Sequence, residues 1–102
     1  MSRIAPLRSE IDTVDARLVA ALAERRRIVE QLALAKAEGG LAPVDAARED
    51  ALAQRWAALA AHEGLPIDVA LAVLEAILAT SRSHVAATIV TATTAATPRP
   101  RE

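Results

Sequence analysis

Apolar residues recur every three or four positions through the first third of the chain. In order they are Leu7, Ile11, Val14, Leu18, Leu22, Ile28, Val29, Leu32 and Ala35. This spacing places them on one face of an α-helix. Pro6 suits the first turn of a helix, and Gly39-Gly40 suit its end. The pattern therefore predicts one helix from about Pro6 to Glu38.

The predicted first helix is long for so short a chain. At ~1.5 Å per residue it extends roughly 50 Å, whereas a globule of about 100 residues has a radius of gyration of about 13 Å. The rest of the chain is too short to cover the whole apolar stripe. A partner chain is the simplest cover, so the pattern favours a dimer.

Two shorter apolar patterns follow, separated by a turn that contains glycine and proline. They predict a second helix from an Asp45 N-cap to about His62 and a third from about Pro66 to at least Val85. The predicted fold class is all-α, with three helices per chain and a very long first helix.

Composition agrees with a helical chain. Hydrophobic residues make up 53% of the 102 residues, many of them alanine, and Trp56 is the one aromatic residue. We expect residues 1–90 to form one helical domain and residues 91–102 to form a tail that extends the third helix or is disordered.

Charge and residue types argue against several functions. The formal net charge is −1 and cysteine is absent, so nothing favours nucleic acid, a membrane surface, disulfides or thiolate metal sites. The sequence shows no metal-ligand cluster, nucleophile–base pair or phosphate loop. It also shows no signal-peptide core and no uninterrupted 18-residue apolar run. We expect a soluble cytoplasmic protein without metal or cofactor.

Two cations interrupt the apolar stripe of the first helix. Arg25 occupies a position where the heptad pattern predicts leucine, and Lys36 returns to nearly the same face about three turns later. Buried cations are costly unless an anion satisfies them, so the pair indicates an anionic ligand. The competing interpretation is two side chains that reach past the stripe to water. Arg8 lies ~25 Å before Arg25 along the helix and would reach the same pocket only from an antiparallel partner.

Polar residues also cluster at the start of the second helix and late in the third. Asp45, Arg48 and Glu49 would suit a ligand hydroxyl, or would simply form a charged, capped first turn. Ser81 and His84 belong to a polar patch, although serine within a helix often bonds only to the preceding turn.

In this order, these residues resemble the all-helical chorismate mutases of the AroQ class. The resemblance covers about residues 6–85 and rests on Leu7–Asp12, Ala23–Arg26, Ala35-Lys36, Asp45 with Arg48-Glu49, and Ile77–Ser81. It implies an intertwined homodimer in which the long first helices span both subunits. It also implies an isomerase that converts chorismate to prephenate by a [3,3] rearrangement without a cofactor.

By resemblance, cations from two chains surround one substrate dianion. Arg25 and the partner's Arg8 would bind its two carboxylates, while Lys36 would contact the ether oxygen and a carboxylate. Lys36, Arg25 and Glu49 are the expected catalytic residues. The expected substrate-binding residues are Arg8, Arg25, Lys36, Asp45, Arg48, Glu49, Ser81, His84 and Val85.

The resemblance also implies how the substrate ring is held. Arg48 and Glu49, with Asp45, would hold the region of the ring hydroxyl, and Ser81 would contact the ring carboxylate. A cation fixed near the ether oxygen, where negative charge builds as the C–O bond breaks, stabilises the transition state more than the ground state.

One position departs from the family pattern. Members commonly carry Gln or Glu four residues after the serine of the third helix, whereas this chain has Val85, which cannot donate to the ether oxygen. Either His84 substitutes through a small register shift, or Lys36 acts alone. A third interpretation is weak intrinsic activity, as in members that depend on a partner enzyme.

Other functions stay open on these residues. The same fold would suit an isochorismate pyruvate lyase or a 4-amino-4-deoxychorismate mutase, although Glu49 favours a mutase because the lyases tend to lack this acidic residue. A non-catalytic helical dimer that binds a partner protein is the remaining alternative, and Val85 favours it.

Overall fold

The computed structural model describes residues 2–96 and folds them into three α-helices. Helix α1 spans Ile4–Glu38, α2 spans Ala46–Glu63 and α3 spans Ile67–Ala96. These described residues contain no β-strand. The predicted all-α fold with a very long first helix is confirmed.

Helix α3 is longer than the minimum that the apolar pattern required. It continues past Val85 to Ala96, so residues 91–96 of the predicted tail extend the helix. Residues 97–102, the rest of that tail, lie outside the described residues.

Glycines end the first two helices in the same way. Gly40 and Gly64 have φ angles of 64° and 71°, in the left-handed region that glycine adopts without strain. After each glycine, the next amide donates 2.9 Å to a carbonyl of the last helical turn. The start of α2 is fixed by Asp45, whose Oδ1 accepts from the Arg48 amide at 3.0 Å.

Helix α3 is the centre of the fold. It packs against both α1 and α2, which make no packing contact with each other within the described residues. Arg25 of α1 lies opposite Ser81 of α3, and Ala37 lies beside Ala92, so these two helices run parallel. The connecting helix α2 returns in the opposite direction along α3.

The core is small and mostly contributed by α3. Its buried apolar residues are Ala33, Ala60, Ala70, Leu74, Leu78 and Val85. No large side chain among the described residues is fully buried. One chain therefore encloses little apolar volume.

The first half of α1 lies outside this core. All residues from 2 to 24 are exposed, and the large apolar side chains among them are 40–65% exposed: Ile4, Leu7, Ile11, Val14, Leu18, Val19 and Leu22. The described chain measures 78 × 28 × 15 Å and has a radius of gyration of 18.8 Å. A single chain thus leaves the stripe of its longest helix uncovered, as its length predicted.

By length and composition alone, one described segment of α3, Ile67–Thr94, is apolar enough to cross a membrane. Alanine, valine, leucine and isoleucine give this segment its apolar character, and polar residues such as Ser81 and Arg82 interrupt it. The core helix of a soluble protein can meet the same criterion, and Ala70, Leu74 and Leu78 of this segment are buried in the fold.

Candidate functional site

Arg25 and Ser81 meet between α1 and α3. The Arg25 Nη1 donates to the Ser81 Oγ at 3.1 Å, and both side chains are half-buried. The structure therefore brings together two predicted site residues that are 56 positions apart in the chain. The hydroxyl is a neutral partner, so the guanidinium charge is not compensated by this contact.

Lys36 lies on the same inward side of α1 as Arg25. It is half-buried, and its Nζ donates to the Pro43 carbonyl oxygen at 3.0 Å, which joins α1 to the loop before α2. An ammonium has three donors, so this contact leaves two for a ligand. The Lys36 charge is also close enough to Glu49 to lower the pKa of that carboxyl.

Glu49 is held by an arginine that the sequence did not single out. The Arg82 Nη2 donates to Glu49 Oε1 at 2.7 Å, and its Nε donates to Oε2 at 3.0 Å and to Oε1 at 3.2 Å. Arg82 also donates through Nη1 to Glu75 Oε1 at 3.3 Å. Glu75 precedes Arg82 by two helical turns, a spacing from which this second pair could have been predicted. The Glu49 partner comes from a different helix, so sequence spacing could not reveal it.

These contacts shift the titration of both groups. The pKa of Glu49 lies below its ordinary value, chiefly because Arg82 donates hydrogen bonds to the carboxylate. The charges of Arg82 and Lys36 lower it further, while partial burial acts in the opposite direction. Hydrogen bonds to Glu49 and Glu75 raise the pKa of Arg82. Glu49 therefore stays an ionised acceptor to lower pH than a free glutamate.

The remaining residues of the second cluster, Asp45 and Arg48, differ in their contacts. Asp45 uses Oδ1 to cap α2, which is the ordinary capped turn that the sequence allowed. The Arg48 side chain is exposed beside it, so its guanidinium is accessible to a ligand.

His84 and Val85 differ in what they present. The His84 Nδ1 lies 3.3 Å from Arg26 Nη2, and its Nε2 is buried without a hydrogen-bond partner among the described residues. Val85 is 5% exposed and lies one turn after Ser81 on the same side of α3. The position where relatives commonly carry Gln or Glu is therefore inward-facing and apolar.

Arg8 does not reach this group of residues in its own chain. It is exposed in the uncovered half of α1, ~25 Å along the helix from Arg25. Two open grooves of about 480 and 230 Å³ on the described surface lie elsewhere, one beside Ala92 and the other beside Trp56. Arg25, Lys36 and Glu49 line neither of these two grooves.

A match to a known protein family identifies the family of this chain. No curated protein and no solved structure matched it. The family model described as chorismate mutase type II matches residues 7–85. That range includes every predicted site residue from Arg8 to Val85. The chain therefore belongs to the chorismate mutase type II family, whose members are isomerases.

Proposed function

We propose that the chain converts chorismate to prephenate in sites shared between two identical subunits. One observation carries the proposal: Arg25 and Lys36 are both half-buried on the inward side of α1, yet neither forms a salt bridge within residues 2–96. Their partners are a hydroxyl and a carbonyl. Two cations without a salt bridge on one side of a helix suit a ligand with two carboxylates.

Catalysis of this rearrangement requires that the substrate be held in its reactive conformation and that the developing negative charge be stabilised. In the rearrangement the ether C–O bond breaks while a new C–C bond forms within the same molecule, and no proton or electron leaves. Binding both carboxylates restricts the substrate to its compact reactive conformation, which removes orientational freedom before the barrier. Lys36, with two donors still available, would stabilise the negative charge that develops on the ether oxygen.

A second copy of the chain would complete the site. The apolar stripe from Ile4 to Leu22 has no cover in its own chain, and exposed apolar surface of this extent marks an interaction site. If the exposed half of α1 packs antiparallel against a partner, Arg8 of one chain would lie near Arg25 of the other. The homodimer therefore accounts for both the exposed stripe and the isolated arginine.

The direct test is steady-state turnover of chorismate by the purified protein. We expect chorismate absorbance to fall and prephenate to form, identified by its conversion in acid to phenylpyruvate. Arg25→Ala is the matched inactive control, because it removes a proposed carboxylate ligand without shortening a helix. A folded dimer that leaves chorismate unchanged, and instead consumes isochorismate or the 4-amino analogue, would assign the fold to that other chemistry.

Val85 supports a second candidate, a mutase of low intrinsic activity. An apolar residue faces inward where a donor is common in the family, so one hydrogen bond to the ether oxygen is missing. We expect Val85→Gln to raise kcat/KM for chorismate about tenfold, a change typical of one hydrogen bond to a charged group. Because Gln at this position is buried in the ligand-free protein, we also expect a lower melting temperature.

The His84→Ala variant separates the two ways in which the chain compensates for Val85. If Lys36 acts alone, His84→Ala keeps most activity while Val85→Gln gains it. If Val85→Gln gains nothing and His84→Ala loses activity, the His84 imidazole is the donor and the register of α3 is shifted. Circular dichroism on both variants controls for loss of helix.

We place the enzyme in the cytoplasm without membrane or nucleic-acid partners. The net charge of −1 offers no broad attraction to either. Ala70, Leu74, Leu78 and Val85 of α3 are buried where α3 packs against α1 and α2.

A further inference from the structure

We propose that Arg82 is a positioning residue that holds the Glu49 carboxylate so that one oxygen, Oε2, is left to accept the substrate ring hydroxyl. The inference rests on the proposed function and adds a residue that the family resemblance did not supply. In this role Arg82 acts through its contact with Glu49.

The pattern of hydrogen bonds shows which oxygen of Glu49 is the more available acceptor. Each carboxylate oxygen has two lone pairs. Oε1 of Glu49 accepts from both Nη2 and Nε of Arg82, at 2.7 and 3.2 Å, whereas Oε2 accepts only from Nε, at 3.0 Å. Nε has one hydrogen, so its two contacts are a shared bond; the pair Nη2 to Oε1 and Nε to Oε2 fixes the rotamer of Glu49 and leaves Oε2 the less occupied of the two oxygens.

Burial and a second anchor make this arrangement more than a surface ion pair. The Glu49 and Arg82 side chains are 23% and 36% exposed, and the pair joins α2 to α3. Glu75, which is 67% exposed, holds another nitrogen of the same guanidinium at 3.3 Å. Arg82 is therefore oriented from both sides, as a planar fork with five donors allows.

The charge around Glu49 also bears on which substrate fits. Arg82 from α3 and Lys36 from α1 both act on the carboxylate and lower its pKa. With two cations facing one glutamate, a neutral hydroxyl is better accommodated than the ammonium of an amino analogue. The arrangement thus favours chorismate over 4-amino-4-deoxychorismate.

The test compares Arg82→Met with Arg82→Lys and follows kcat/KM for chorismate against pH. Methionine keeps the length and helix preference of arginine but has no charge or donor. We expect Arg82→Met to lower kcat/KM about tenfold at neutral pH and to move the acid limb of the profile to higher pH, because the pKa of Glu49 rises when Arg82 is gone. Arg82→Lys keeps the charge without the fork, and we expect an intermediate result.

Two further variants show that the effect passes through Glu49. Glu75→Gln removes only the exposed partner of Arg82, and its acid limb should match that of the wild type. In a Glu49→Gln background, Arg82→Met should cause no additional shift of the acid limb. The substrate titrates equally in all of these assays, so it cannot produce the difference.

The possible failures are distinguishable. If the wild type turns over chorismate but Arg82→Met loses stability with an unchanged acid limb, Arg82 only stabilises the packing of α2 against α3 and the inference is wrong. If Arg82→Met shifts the acid limb equally with and without Glu49, Arg82 acts on something else and the inference is also wrong. A wild type without chorismate turnover overturns the proposed function and this inference with it.

Discussion

Replacing Lys36 with methionine is expected to lower kcat for chorismate by about 10²–10³-fold, the usual loss when one preorganised group that stabilises developing charge is removed. The loss should appear mainly in kcat, because the negative charge on the ether oxygen develops only in the transition state. Methionine preserves the half-buried stem of the lysine. The measurement is kcat and KM for chorismate, determined separately.

Two controls distinguish the charge of Lys36 from its structural contact. Lys36 donates to the Pro43 carbonyl, so the melting temperature and helix content of the variant must be measured beside its activity. Arg27→Ala removes an exposed cation of the same helix and should leave kcat within about twofold, since surface charges contribute little. A Lys36→Met enzyme with near-normal kcat would exclude Lys36 from the chemistry.

Mixing two inactive variants, Arg8→Ala and Arg25→Ala, is expected to restore about one quarter of wild-type activity. In the proposed dimer each site takes Arg25 from one chain and Arg8 from the other, as a two-fold axis requires. A mixed dimer then has one site with both arginines intact and one site with neither. Equal mixing makes about half of the dimers mixed, and each of these has one working site of two.

The matched control for this experiment mixes Arg25→Ala with Lys36→Met. Both residues lie on α1 of the same chain and on the same side of the helix, so each site of the mixed dimer carries one of the two changes and no activity returns. Subunits are exchanged by unfolding and refolding together or by expressing both chains in one cell. Failure of the first pair to regain activity, with mixed dimers demonstrated by mass, would remove Arg8 from the partner's site.

The helices were predictable because their signals are local. Apolar spacing, the Asp45 cap and the glycines before Leu41 and Leu65 each act within a turn or two, and the structure places α1 and α2 within about two residues of the predicted ends. The extension of α3 to Ala96 was left open by the sequence. The residues of this extension are rich in threonine, a weak helix former. They lie beside the end of α1, and local helix preference does not include such packing.

The site was predictable only where one helix carries it. Arg25 and Lys36 share an inward side of α1, so spacing alone was enough to group them. The pairing of Glu49 with Arg82 depends on how α2 lies against α3, and no spacing in the chain encodes that. The role of Arg8 depends on a second chain, and it remains a proposal that the mixing experiment addresses.

The uncovered half of α1 makes protein concentration part of the enzyme's thermodynamics. Most helical stability in proteins comes from packing of the apolar face, and residues 2–24 are exposed in their own chain. In the proposed dimer, ordering of that half and association of the subunits are one event, so dilution opposes both together. The same step would assemble the anion-binding groups, so a dissociated subunit would lose the packing of this half of α1 and the partner's Arg8 at once.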